Sequence, residues 1–235
     1  MTNLIKKACE KVSRKLQSFS NKITRQSTKW EGSTKYWQKR YLNGGNSGAG
    51  SYNNLAQFKA EVINKFVIDN KVNTVIEWGC GDGNQLLLAE YPHYIGLDVS
   101  NDAIKLCTSL FKNDVNKSFI CIEDGDFVFV EKADLALSLD VIFHLIEDDV
   151  YETYMRRLFA SSNKFVCIYS CDDEYDDRDQ HFAKHVRPRK FTDWIDKNVG
   201  DKWKLKNFVK NSYPYDPNNK NHTSWSDFYF YEFIE

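Results

Sequence analysis

Residues 75–100 read Val-Ile-Glu-Trp-Gly-Cys-Gly-Asp-Gly-Asn-Gln-Leu-Leu-Leu-Ala-Glu-Tyr-Pro-His-Tyr-Ile-Gly-Leu-Asp-Val-Ser, and no other stretch restricts the fold of this chain as tightly. An apolar run over 72–78 meets a turn of alternating glycines, then a short helical pattern, then a second apolar run closing at Asp98. This is the layout of a βαβ unit. A unit with such a glycine turn is a nucleoside-binding layout.

Charge narrows the nucleoside. A dinucleotide fingerprint needs G-x-G-x-x-G, with the pyrophosphate on the helix N-terminus. Here Gly79, Gly81 and Gly83 alternate, and the sixth position is Asn84. Glu77 stands two residues ahead of the first glycine, where its carboxylate repels a pyrophosphate and attracts an α-ammonium group. A ligand with a positive amine and no phosphate, such as S-adenosylmethionine, suits that position. Asp98 closes the second strand, where an acidic residue accepts hydrogen bonds from a ribose diol.

The run Glu77-Trp78-Gly79-Cys80-Gly81-Asp82-Gly83, followed by Gly96-Leu97-Asp98-Val99-Ser100, resembles the class I S-adenosylmethionine-dependent methyltransferases. The resemblance implies an α/β, Rossmann-like fold. Its sheet is seven-stranded and mostly parallel, with an antiparallel last strand and helices on both faces. S-adenosyl-L-methionine is then the cofactor and S-adenosyl-L-homocysteine the product. Carried over residue by residue, it assigns Glu77, Gly79, Gly81, Gly83, Gln85, Asp98 and Val99 to the cofactor. Asp140, at the family's fourth motif, lies beside the methionine portion. The third strand, 118–122, ends at Glu123-Asp124, where the family sets a carboxylate against the adenine amine; Asp124 takes that role ahead of Glu123, and either can be a solvated turn residue. Trp37, Arg40 and Tyr41 cover the methionine end as a lid, Arg40 pairing its carboxylate, or else form an ordinary linker with anchoring aromatics. The glycine-rich run 44–51 behind them can approach a ligand closely.

At 235 residues the chain accommodates one domain with an appendage: a methyltransferase domain over 31–235 and a segment over 1–30. That segment has apolar residues at helical spacing and a basic face opposed only by Glu10. It reads as a basic amphipathic helix. Such a helix rests on an anionic membrane surface, docks a partner or second subunit, or packs on its own domain. A formal net charge of −1 and 42% hydrophobic residues point to neither nucleic acid nor membrane as the main partner. With no spanning apolar run and no signal-peptide pattern, the expected location is the cytoplasm. The six cysteines are scattered, which fits reduced thiols. Cys167, Cys171, His181 and His185 have a zinc-like C-x3-C-x9-H-x3-H spacing, but Cys167 lies in a strand pattern and should point into a sheet face, so no metal site is assigned.

Methyl transfer from a sulfonium is an in-line displacement, so holding the acceptor in place supplies roughly 7–11 kcal/mol of the barrier. An alcohol acceptor also needs a base. His144, the titratable group nearest Asp140, is the candidate catalytic base; its alternative is a packing histidine at the start of a helix. His181, His185, Arg187 and Arg189 are candidate acceptor-binding residues, able to clamp an anionic acceptor. Their competing fate is pairing with the carboxylates of the same loop, among which Asp172 and Asp173 could instead hold a divalent cation. Segments 36–41, 44–52, 138–149 and 185–195 look most like methyltransferases of bacterial surface and capsular polysaccharide biosynthesis. The expected reaction is O-methylation of a sugar hydroxyl, on a nucleotide-activated sugar or capsule precursor. Amine methylation of a small molecule or amino sugar, and a non-catalytic cofactor-binding role, are the alternatives. The fourth motif has no proline, which argues against a nucleic-acid amine as acceptor.

Overall fold

Every residue of the first strand after Thr74 is buried, as a strand covered on both faces requires. The computed structural model describes residues 30–122, 131–174 and 182–234. Its elements run in the order α1 (Ser33–Leu42), α2 (Asn53–Asp69), β1 (Thr74–Trp78), β2 (His93–Asp98), α3 (Asn101–Leu110) and β3 (Lys117–Cys121). There follow β4 (Ala133–Leu139), α4 (Asp148–Ala160), β5 (Ser162–Ser170), α5 (Phe191–Asn198), β6 (Trp203–Val209) and β7 (Asp227–Phe233).

The sheet has seven strands in the order β3-β2-β1-β4-β5-β7-β6. The first five are mutually parallel, and β7 inserts antiparallel between β5 and β6. The fold is therefore Rossmann-like α/β with an antiparallel last strand, as the sequence resemblance implies. Strand order reverses between β1 and β4, and the crevice above their carboxyl ends is where open sheets of this kind take ligands.

Pleat alternation sorts the core into two layers. Along β4, Leu135, Leu137 and Leu139 join the layer of Phe58 and Ile63 from α2 and Ile104 from α3. Ala136 faces the other way, into the layer of Met155 and Leu158 from α4 and Phe191 and Ile195 from α5. Cys167 is wholly buried in the first of these layers. Ser100 caps α3, its hydroxyl accepting from the Ala103 amide at 3.3 Å.

Local structure departs from the sequence pattern after the glycine turn. The short helix expected after the glycine turn is a single 3-10 turn, Gln85–Leu88. Pro92 follows closely and drives the chain out of helical geometry into β2. Helix α4 starts at Asp148, its first turn holding Asp148 and Asp149, whose charges suit a helix N-terminus.

Gly32–Glu235 forms one compact unit. The basic amphipathic helix expected over 1–30, together with Asp124 and His181, falls outside the described residues, apart from Trp30. Among the described residues no helix is long and apolar enough to cross a membrane.

Candidate cofactor and acceptor site

A cavity of about 330 Å³ opens over the carboxyl ends of β1 and β4. Its floor is the turn after β1. Gly79, Gly81 and Gly83 have φ of 87°, 61° and 80°, a region that costs a side-chain-bearing residue energy. Gly81 is further constrained, since a Cβ there would lie 2.3 Å from the Ser47 hydroxyl. Gly79 and Gly81 line the cavity. Gly83, expected at the cofactor, instead lets α3 pack close: a Cβ would meet the Cys107 sulfur at 3.0 Å and the Phe111 ring at 3.1 Å.

Two carboxylates face this floor. Glu77 is buried and accepts from the Tyr94 hydroxyl at 2.6 Å. Burial pushes its carboxyl up to about 7, with Tyr94 and then Lys59 opposing the rise. Asp98 accepts from the Gly81 amide at 3.0 Å and the Ser100 amide at 2.8 Å. Burial outweighs these bonds and raises it to about 6. Each of its oxygens keeps a second lone pair for a diol.

At the other end of the floor, Asp140 takes up φ 58°, a left-handed conformation uncommon outside glycine and tolerated best by short polar side chains such as aspartate. One of its oxygens accepts from Lys59 Nζ at 2.9 Å and the other from the Ser226 hydroxyl at 2.8 Å. Lys59 went unnoticed in the sequence because it sits on the apolar face of α2. The sign was its spacing, since Leu55, Lys59 and Ile63 fall on one stripe. Gln85 donates to the Ala56 carbonyl at 2.9 Å, and its buried Oε1 has no partner among the described residues. Val99 also lines the cavity, its carbonyl held by Gln38 at 3.1 Å.

The glycine-rich segment forms one wall and is fastened to the floor. Asp82 accepts from the Ser47 amide and the Tyr52 hydroxyl, both at 2.9 Å, while the Asp82 amide donates to the Ser47 hydroxyl at 3.0 Å. Trp37 and Tyr41 of α1 line the cavity. Arg40, expected to pair a cofactor carboxylate, is turned onto its own loop: Nε donates to the Asn46 carbonyl at 2.6 Å, and the guanidinium lies 5.4 Å from the Trp37 ring. The short 40-to-46 separation makes that local bond easier to form than one across the cavity.

His144 ends a 3-10 turn, Ile142–His144, just after Asp140 and lines the cavity. Its Nδ1 lies 2.7 Å from the His185 carbonyl oxygen. A carbonyl only accepts, so Nδ1 carries the hydrogen and Nε2 the lone pair. Burial pushes the imidazole down to about 4, although the His185 carbonyl opposes this. The ring stacks on His185 with centroids 5.4 Å apart and meets Trp37 edge-on at 4.9 Å. Tyr36 stacks on the His185 ring at 4.5 Å.

Arg187 and Arg189, expected to clamp an acceptor, are directed elsewhere. Arg187 Nη1 donates to the Ile146 carbonyl and to Asp148, each at 2.8 Å. Arg189 donates to the Leu145 and Ile146 carbonyls at 2.8 and 2.9 Å and pairs with Asp148. Asp172 likewise serves the fold, accepting from Lys190 at 2.6 Å and from the Thr192 hydroxyl at 2.8 Å.

No family model matches this sequence, and no curated protein matches it. Solved structures do. The N-methyltransferase NodS of Bradyrhizobium japonicum WM9, in complex with S-adenosyl-l-homocysteine, superposes with a TM-score of 0.67 at 14% identity, over 87% of this chain and 100% of NodS. The magnesium protoporphyrin IX methyltransferase ChlM of Synechocystis PCC 6803, with bound SAM, gives a TM-score of 0.59 at 13% identity, over 88% of this chain and 99% of ChlM. The [4+2]-cyclase SpnF gives 0.56 at 13% identity, over 75% of each chain. One architecture thus carries different chemistries, and the similarity speaks to architecture alone. This chain has the fold shared by S-adenosylmethionine-dependent methyltransferases.

Proposed function

We infer that the protein is an S-adenosylmethionine-dependent O-methyltransferase acting on a sugar hydroxyl, of a nucleotide-activated sugar or a polysaccharide precursor. The residues present fit the cofactor. Gln85 Oε1 is a buried acceptor with no partner among the described residues, Glu77 is a carboxylate lining the same cavity, and together they suit an ammonium group. Lys59 supplies the buried positive charge that a carboxylate needs, and Asp98 supplies acceptors for a diol. When bound, the cofactor supplies an electrophilic methyl group on a sulfonium.

The single observation carrying the O-methyl reading is the tautomer of His144. With Nδ1–H bonded to the His185 carbonyl, Nε2 is left as an acceptor on a cavity-lining residue, able to take a proton from a hydroxyl. The imidazole is neutral at physiological pH, so the base is ready without first losing a proton. The sugar acceptor is what the resemblance of segments 36–41, 44–52, 138–149 and 185–195 to polysaccharide-associated methyltransferases implies. The test is incubation with isotopically labelled donor and a panel of nucleotide sugars, followed by mass analysis. Methylated sugar that disappears with His144→Ala supports the reading; labelled amine products and a fully active His144→Ala enzyme overturn it. Amine methylation is the second reading. One observation favours it: the low basicity of His144 matters less for an acceptor with its own lone pair.

A further inference from the structure

We propose that residues 185–189 form a latch that positions His144 for proton transfer, with Arg187 and Arg189 acting as positioning residues and not as acceptor ligands. The proposal rests on the reading of His144 as the base. A free neutral imidazole mostly carries its hydrogen on Nε2, the nitrogen that a base must keep open. Here the His185 carbonyl, 2.7 Å away, reverses that preference.

That carbonyl holds its place through contacts on both sides of the histidine pair. The Arg187 amide donates to the Phe143 carbonyl at 2.7 Å, joining the latch to the turn that carries His144. Beyond it, both guanidinium groups converge on Asp148 and on the carbonyls of 145 and 146. Pro188, buried between the two arginines, fixes the backbone linking them. The Tyr36 ring covers the His185 ring. Charge-assisted bonds with this fork geometry are strong and directional, so cutting them loosens the His185 carbonyl before it loosens the sheet. Among the described residues, the groups around the His144 ring include the His185 ring and carbonyl from the latch, the neighbouring Phe143 ring, Asp140 from the end of β4, and Trp37 and Arg40 from α1.

The experiment reads the tautomer directly. The chain has five histidines, few enough to resolve in the full-length protein labelled with 15N-histidine, and His144→Gln identifies the resonance. The wild type is expected to show Nδ1–H at His144. In Arg189→Gln and in Asp148→Asn the signal should move toward Nε2–H, and kcat should fall about tenfold. Cofactor affinity and acceptor KM should stay within about twofold, and Arg189→Lys, which keeps charge but loses the fork, should fall between. Asp148 is exposed, so Asp148→Asn remains informative if Arg189→Gln folds poorly. An unchanged tautomer in both variants overturns the latch, as does an intact kcat with a raised acceptor KM, the signature of an acceptor clamp. Because the tautomer is read without turnover, failure to methylate any sugar removes the O-methyl reading while the latch is still judged on its own resonance.

Discussion

Lys59 Nζ lies 2.9 Å from Asp140, and the lysine side chain is only 1% exposed against 16% for the aspartate. The two deletions are therefore unequal. Asp140→Asn leaves a wholly buried ammonium without its countercharge, a loss of roughly 3–5 kcal/mol for breaking a buried pair. Lys59→Met removes the buried charge itself and leaves a carboxylate that still reaches solvent and Ser226. Thermal unfolding should show the larger drop in Tm for Asp140→Asn. Equal drops would show that the pair is not as shielded as its geometry indicates.

Glu77 makes both ligand affinity and stability depend on pH. Its carboxyl is raised from 4.5 to about 7 by burial. The protonated form is neutral and attracts an ammonium group weakly, so affinity for S-adenosylmethionine should strengthen as pH rises through about 7, with proton release on binding. Calorimetry at that pH in two buffers of different ionisation enthalpy measures the release, which should vanish in Glu77→Gln. Without ligand the sign is opposite. A raised carboxyl stabilises the fold fully below about 4.5 and loses that contribution as pH rises through about 7. The Tm of the ligand-free wild type should therefore fall over that interval relative to Glu77→Gln.

Asp98 links the turn to the proposed nucleoside site. Its two backbone bonds, to Gly81 and Ser100, are lost or weakened in Asp98→Ala together with its capacity for a diol. Hydrogen bonds to a charged group contribute about 1.5–3 kcal/mol each, so S-adenosylmethionine affinity should fall by about 10- to 150-fold per bond lost. Titration calorimetry checks this, and adenine alone, which has no ribose, should lose far less.

Gly81→Ala attacks the wall through the floor. The substitution strains a φ of 61° and drives a methyl group onto the Ser47 hydroxyl. A cost of about 1–2 kcal/mol follows from the conformation alone. Hydrogen exchange at the Ser47 amide, now bonded to Asp82, should accelerate while amides of β4 stay protected. Uniform acceleration would mean that the sheet, and not the wall, had given way.

The half of the site nearest β1 was readable in sequence because its signals are local. Strand periodicity, a glycine turn and a strand-end carboxylate lie within one βαβ unit, and Glu77, Gly79, Gly81, Gln85, Asp98 and Val99 all line one cavity. Asp140 and His144 join them because β4 pairs with β1. What stayed hidden depends on partners distant in sequence. Arg187 and Asp148 are 39 residues apart, so their pairing cannot be read from the loop's own sequence. Lys59 and Asp140, 81 apart, were hidden in the same way, since a lysine on an apolar stripe has no evident counterion. Arg40 differs in the reverse way: the bond it makes is to a carbonyl only six residues away.

The bonds from Ser47 and Tyr52 to Asp82 join a wall of the cavity to the turn beneath it. Any outward swing of that wall must part these bonds, so under the proposed function the exchange of cofactor for product is tied to how readily one aspartate lets go. On the proposed function, the residence time of the cofactor then depends on a side chain that does not itself line the cavity.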